Sequence, residues 1–311
     1  MGELGVVVLC HGDDAAAHIQ PLLESLVAQG VRPEQVTVVR NPGTATSTFV
    51  PPVAGVAVIG PEQNLGYAGG MNLGIRDQLA KARSPILLLT MDVRLDAGAV
   101  SKLTAAAATP AYGVLGPELR WTGTERVTWG ARWDEMGKVE HVQAKPADDD
   151  GDGVVESDSI DGAVVLIKAE VLDKIGLLHD YLFMYFEETE LCLRVKRAGW
   201  KVGVVLGALA EQSSGETRRP GAFNYLMARN GLEFARLRAG WRGVASTLWR
   251  QLVQSWRLLK MRFSPRSDVS RRRFATVSLA ALWLGVLAFF RRRWGPPPAN
   301  LPGVGDMKFS R

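Results

Sequence analysis

Over the first 120 residues, short aliphatic runs alternate with longer stretches in which apolar positions recur every three or four residues. The runs at 6–9, 36–39, 56–59 and 86–90 predict strands, since nearly unbroken Val, Ile and Leu suits a strand buried on both faces. The segments 19–29, 71–82 and 97–108 carry helical spacing. Strand and helix in turn predict an α/β fold with a doubly wound, mostly parallel sheet. Such sheets bind ligands beyond the carboxyl ends of their strands, which directs attention to residues 11–14, 40–44, 64–72 and 92–94.

Further along, strand-like pieces at 119–121 and 127–133 precede an acidic stretch, 148–152. That stretch lacks the closing glutamate of a twelve-residue calcium loop and reads as a solvated turn. A strand at 162–167, a helix at 169–175 and a dense aromatic and acidic block at 181–200 follow, with no internal repeat. Near the carboxyl end an apolar run, 274–290, lies between two arginine triplets, 271–273 and 291–293. A membrane-crossing helix needs about 20 apolar residues. This run of 17 includes Thr276 and Ser278, and its symmetric arginines give no inside–outside bias. It is expected to pack on the protein or lie in a membrane interface rather than to span.

Charge sharpens the division of the chain. Residues 1–217 carry 18 Lys and Arg against 29 Asp and Glu, whereas residues 218–311 carry 19 against 3, giving −11 and +16. With 311 residues and 47% hydrophobic content, one large domain over 1–217 and a basic helical extension over 218–311 are expected. A tail so basic implies an anionic partner. No nucleic-acid recognition motif is present, while Trp241, Trp249 and Trp256 interleave with Arg242, Arg250, Arg257, Lys260 and Arg262 in a way that suits lipid headgroups. The start of the chain has no basic segment or cleavage site of a secretory signal, so a cytoplasmic protein, peripheral at the inner face of a membrane, is expected. Cys10 and Cys192 are too far apart to suggest a metal site and read as buried thiols; self-association stays open.

Three segments carry candidate chemistry. Asp92 follows the aliphatic run 86–89, where a carboxylate can hold a divalent cation against a diphosphate. Asp96, just before Ala97, reads instead as a helix cap. Residues 64–72, with Asn64, Gly66, Gly70 and Asn72, form a Gly-rich turn ahead of a helix beginning near Met71, and either bring backbone N–H groups to a ligand or serve the fold alone. In 183–194, aromatic residues including Tyr185 run into Glu187, Glu188 and Glu190. Those carboxylates either complement a helix dipole or, partly desolvated, supply a general base.

The order of these pieces, with Asp161-Gly162-Ala163 between them and Arg229-Asn230 after them, resembles the family 2 glycosyltransferases of the GT-A fold, and within them a bacterial rhamnosyltransferase-like branch. The resemblance covers 4–235 and is most specific at 64–72, 87–96 and 175–202. It implies a UDP- or dTDP-sugar held by His11, Asn41, Asn64, Gly66, Gly70, Asn72 and Asp92, with Mn or Mg on Asp92. It also implies a hydroxyl acceptor, lipid-linked in many relatives, near Asp161, Gly162 and Tyr185, and an inverting single displacement in which Glu188, beside Glu187, is the base. Four positions depart from the pattern: Arg40-Asn41 stands where an aspartate often contacts the base, Thr90 where Asn or Asp is usual, Glu187-Glu188 where Glu-Asp is usual, and Glu211-Gln212 where a metal-reaching histidine is common. These departures keep open a second reading, a nucleotide-sugar-binding or scaffolding protein without turnover. A nucleotidyltransferase is disfavoured, because the stretch after the first strand, 11–14, is acidic rather than basic.

Overall fold

The aliphatic runs near the amino terminus pair side by side as parallel strands. In the computed structural model, which describes residues 2–11, 15–42, 53–148, 153–213 and 220–301 with the backbone alone at 15–18, the chain forms two compact units. The first comprises Met1–Arg132, Glu140–Asp180 and Glu187–Ser214; the second comprises Trp133–Val139, Tyr181–Phe186 and Gly215–Arg311. Residues 12–14, 43–44 and 149–152, which the sequence singles out, lie outside the described residues.

In chain order the elements are β1 (Gly5–His11), α1 (Ala15–Ala28), β2 (Val36–Asn41), β3 (Ala57–Ile59), α2 (Gly66–Ala80), β4 (Ile86–Thr90), β5 (Val93–Leu95), α3 (Ala99–Ala106), β6 (Tyr112–Trp121), β7 (Val127–Thr128), β8 (Ala131–Trp133), β9 (Val139–His141), β10 (Val154–Ser157), β11 (Val164–Ile167), α4 (Ala169–Ile175), α5 (Glu187–Arg197), β12 (Lys201–Gln212), α6 (Pro220–Phe263) and α7 (Val269–Phe290). The main sheet runs β10-β12-β6-β11-β4-β1-β2-β3. Six of these eight strands point one way, while β11 and β10 run against them. Val6, Val8, Leu87 and Leu89 are fully buried in this sheet, which is why the runs show no alternation of apolar and polar positions.

The Gly-rich segment is not a turn before Met71. Helix α2 begins at Gly66, whose φ of +70° admits the chain, and Asn64 Oδ1 closes a tight turn ahead of it by accepting from Gly66 N at 2.8 Å. The glycines inside α2 let it press against the sheet. A Cβ on Gly70 would stand 2.6 Å from Leu9 Cδ1, and one on Gly74 would collide with Val7. Asp96 does not cap α3 either. The short strand β5 extends the chain, so Gly98 is the N-cap, and the Asp96 carboxylate lies 3.8 Å from Arg120. The expected strand over 127–133 is divided between β7 and β8, and 119–121 is the end of the ten-residue β6.

In the second unit, α6 is broken at Ala239 and Gly240, where Gly240 takes φ +62°. Helix α7 returns alongside residues 241–263, its contacts progressing from Arg262–Thr276 through Ser255–Trp283 to Trp241–Phe289. It is 22 residues long rather than 17, because Asp268 accepts from Arg271 N as N-cap and draws the first arginine triplet into the helix. By length and composition α7 is able to cross a membrane, yet close to half of it is buried within the protein.

Candidate active site

The carboxyl ends of β1, β2 and β4 fall together. His11 pairs in register with Asn41, Leu9 with Thr90, and Met91 N donates to Leu9 O at 3.1 Å. Antiparallel β11 brings its amino end to the same rim, since Thr90 N donates to Ala163 O. The first unit thereby collects His11, Asn41, Asp92, Asp161 and Gly162 along one edge of the sheet.

Asp92 sits half-buried in the turn between β4 and β5. Strand β12 pairs with β5, Gln212 opposite Val93, and this register lets Gln212 Nε2 donate to Asp92 Oδ2 at 3.1 Å. Gln212 thus brings an amide already resting on the aspartate. Among the described residues no group of three or more His, Cys, Asp or Glu could hold a metal ion. A hard cation fits the oxygen donors present, the Asp92 carboxylate and, with its amide turned, the Gln212 carbonyl, provided that a bound diphosphate supplies further oxygens.

Two of the expected amides serve the walls of the site. Asn41, 2% exposed, donates to Gly66 O at 2.6 Å and accepts from Leu65 N at 3.3 Å, fixing the start of α2. Asn72 donates to Leu178 O at 2.8 Å and accepts from Leu178 N at 3.1 Å, so its amide stands in for a missing backbone partner. Both amides therefore hold main chain in place. His11 ends β1 half-buried.

The acidic pair lies at the amino end of α5. Glu188 keeps partial solvent access beside Gly162: a Cβ built on that glycine would be 3.5 Å from Glu188 Cγ and from the Tyr67 hydroxyl. Tyr67, from the first turn of α2, donates its hydroxyl to Gly162 O. Asp161 accepts from Thr128 Oγ1 at 2.8 Å and lies 3.3 Å from His141 Nδ1. Burial pushes the Glu188 carboxyl up to about 7, with the Asp161 charge adding to the rise. Glu187 is only 3% exposed, and burial, reinforced by the charge of Glu188, holds its carboxyl well above the usual range. Its Oε2 has no hydrogen-bond partner among the described residues. Tyr67 is also pushed well up, first by burial and then by these two glutamates. The pair thus holds two carboxyls raised by burial, Glu187 and, at about 7, Glu188. Cys10 and Cys192 are buried free thiols raised to about 12 by burial, as their surroundings in sequence suggest.

Tyr185 belongs to the second unit, in a segment where Phe183, Tyr185 and Phe186 all take positive φ, 68°, 70° and 72°. Left-handed backbone in bulky residues needs external support. Asn230 provides it, the two N–H groups of its Nδ2 shared among the carbonyls of Leu182, Met184 and Tyr185 at 2.8–2.9 Å. Arg229, fully buried, donates to Leu182 O, Gly295 O and Asn230 Oδ1. The Arg-Asn pair was visible in the sequence; its grip on an aromatic segment 45 residues away was not.

A family model described as glycosyltransferase like family 2 matches residues 2–231. A hexosyltransferase of low-salt glycan biosynthesis, Agl10 of Haloferax volcanii, is 26% identical over 176 residues, 54% of this chain. The chain spans about half the length of that relative, 56%. Among solved structures, the TarS 1–349 structure from S. aureus aligns with TM-score 0.53 and 14% identity over 91% of this chain and 81% of that one. The mannosyltransferase PcManGT of Pyrobaculum calidifontis, in complex with GDP-Man and Mn2+, aligns with TM-score 0.52 and 12% identity over 94% and 88%. GalNAc-T7 with UDP, GalNAc and Mn2+ gives 0.53 and 13% over 74% and 51%. These likenesses place the first unit's architecture in the GT-A fold. On the family match over most of its length, the chain belongs to the glycosyltransferase-like family 2.

Proposed function

We propose that the protein is an inverting glycosyltransferase of the rhamnosyltransferase-like branch, moving a hexosyl or deoxyhexosyl group from a UDP- or dTDP-sugar to an acceptor hydroxyl. The observation that carries this reading is the acidic pair: Glu188, near neutrality and solvent-accessible, beside Gly162 at the rim where Asp92 also lies. Glu188 takes the proton of the acceptor hydroxyl, whose oxygen attacks the anomeric carbon from the face opposite the diphosphate. The bond between that carbon and the diphosphate oxygen breaks as the new bond forms, and the configuration inverts. Asp161, whose charge bears on Glu188, is assigned to the acceptor with Gly162. Asp92, with Gln212, is the seat of Mn or Mg, which when bound offsets the charge that grows on the leaving diphosphate. His11 and the amino end of α2 serve the donor. A lipid-linked acceptor at the cytoplasmic face of a membrane suits the basic carboxyl-terminal region.

The Gln212 amide on Asp92, together with the departures at Arg40-Asn41, Thr90 and Glu187-Glu188, favours the reading without turnover. A panel of UDP-, dTDP- and GDP-sugars, with and without Mn2+, decides between them. Thermal stabilisation by a donor together with release of its nucleoside diphosphate, lost in Glu188→Gln, supports the enzyme. Stabilisation by a donor with no release, even when hydroxyl acceptors are supplied, supports a binding protein.

A further inference from the structure

We infer that residues 241–263 and α7 form an in-plane docking face for an anionic lipid bilayer, α7 lying on the membrane rather than crossing it. At about 100° per residue, 241–263 divides into three faces. Val244, Thr247, Gln251, Ser255 and Leu258 point inward and are buried. Trp241, Trp249, Leu252, Trp256 and Phe263 fall within an arc of about 80°. They are 66%, 67%, 48%, 60% and 73% exposed. Arg242, Lys260, Arg257 and Arg250 occupy the next arc of about 80°, so a basic row runs beside the aromatic one. The rows meet where Lys260 Nζ stands 5.3 Å from the centre of the Trp256 ring.

Helix α7 adds a second apolar row. Trp283, Leu284, Leu287 and Phe290 are exposed, and no charged residue occurs between Arg273 and Arg291. Trp283 Nε1 donates to Ser255 Oγ, and the Trp241 and Phe289 rings meet edge to face, so the two rows lie side by side. An apolar surface of this extent, rimmed by arginines, marks a contact site. Tryptophan next to arginine matches the headgroup layer of a bilayer, where rings reach the acyl boundary and cations meet lipid phosphates.

Charge selects the occupant. A second copy would set a basic row against a basic row in a region carrying +16, which disfavours self-association through this face. The inner side of α7 argues against spanning: Ala281, Leu282, Gly285 and Phe289 are buried, Asn224 donates to Ser278, and a Cβ on Gly285 would collide with Tyr225 O. Crossing would strip away that packing and carry an arginine triplet through the hydrocarbon layer. Docking is independent of the transfer reaction, so a chain without turnover would bind the same way.

The full-length protein is sedimented with vesicles of phosphatidylcholine alone and of phosphatidylcholine with phosphatidylglycerol, at low and high salt. Binding to the anionic vesicles only, weakened by salt, with a blue shift in tryptophan emission, is the expected result. Arg242→Ala with Arg257→Ala, and separately Trp249→Ala with Trp256→Ala, should each weaken binding about tenfold or more. Melting curves check that these surface variants stay folded. Equal binding to both vesicle types, no binding at low salt, or a dimer that forms without lipid and is lost in the tryptophan variant overturns the inference. Retention in the membrane after alkaline carbonate extraction overturns the in-plane mode in favour of a span.

Discussion

Glu187 and Glu188 are adjacent in sequence and differ in surroundings. Glu187 is 3% exposed, whereas Glu188 keeps solvent access and is raised to about 7. A base must be ionised to act, so turnover should rise with pH through about 7 and level off above it. Glu188→Gln should lower kcat by about 10²-fold or more with little change in donor affinity. Glu187→Gln is the control; if it is the dead variant and Glu188→Gln the active one, the base lies one residue earlier. Stability gives an independent reading. Because the folded pKa of Glu188 lies above its ordinary value of 4.5, the folded chain holds this proton more tightly. That contribution is full below 4.5 and is lost as pH rises through about 7, beyond which a partly desolvated charge remains. Glu188→Gln should therefore melt above wild type at alkaline pH and match it in acid; no difference at alkaline pH would show that the carboxyl is not raised. Asp92→Asn, half-buried at a turn, should leave melting nearly unchanged while weakening UDP binding in the presence of Mn2+ by calorimetry. An unaltered titration would remove Asp92 from the metal site. Both acidic positions were legible in the sequence because each follows a recognisable run. The Gln212 bond to Asp92 was not, since it depends on the register of β12 on β5.

Elements carry a different lesson. Four glycines between Gly66 and Gly74 look like a loop by helix propensity, yet this stretch is the first half of α2. Propensity lost to packing, for the helix sits close on β1 and β2 only where side chains are missing. Gly74→Ala should destabilise the fold by about 1–3 kcal/mol, the usual cost of overpacking a filled core. Urea unfolding measures it, and a wild-type midpoint would mean that α2 does not press on Val7 as described. Strands β1, β2 and β4 could be read because they are continuous aliphatic runs. Strand β12 escaped: Gly203 and Gly207 interrupt its pattern, and its pairing with β6 shifts register between Val205 and Leu209. Asn230 ties three carbonyls in one strained segment, so Asn230→Ala leaves buried acceptors unsatisfied and should cost about 2–5 kcal/mol, with Asn230→Asp failing to rescue because it loses the N–H donors. A fall of less than about 1 kcal/mol in either variant would show that the segment holds itself.

At the scale of the whole molecule, the sign change of charge near residue 218 reached further than any motif. It separates most of the second unit from the first, although Trp133–Val139 and Tyr181–Phe186 join the second unit from within the acidic stretch, which no reading of charge or periodicity along the chain would reveal. A sequence pI of about 9.3 treats the protein as uniformly basic, but −11 and +16 sit on different stretches. Surfaces respond to local fields screened over about 10 Å at 0.1 M salt, so each stretch should act by itself at moderate ionic strength. The protein at neutral pH and low salt should therefore bind a cation exchanger strongly and also be retained on an anion exchanger, as uniformly distributed charge of +5 would not permit. Arg242→Ala with Arg257→Ala should advance elution from the cation exchanger and leave anion-exchange retention unchanged. If the wild type flows through the anion exchanger, or if those arginine variants shift both elutions equally, the acidic and basic stretches compensate one another in the folded chain, and the basic face is less available to a lipid surface than its exposed tryptophans imply.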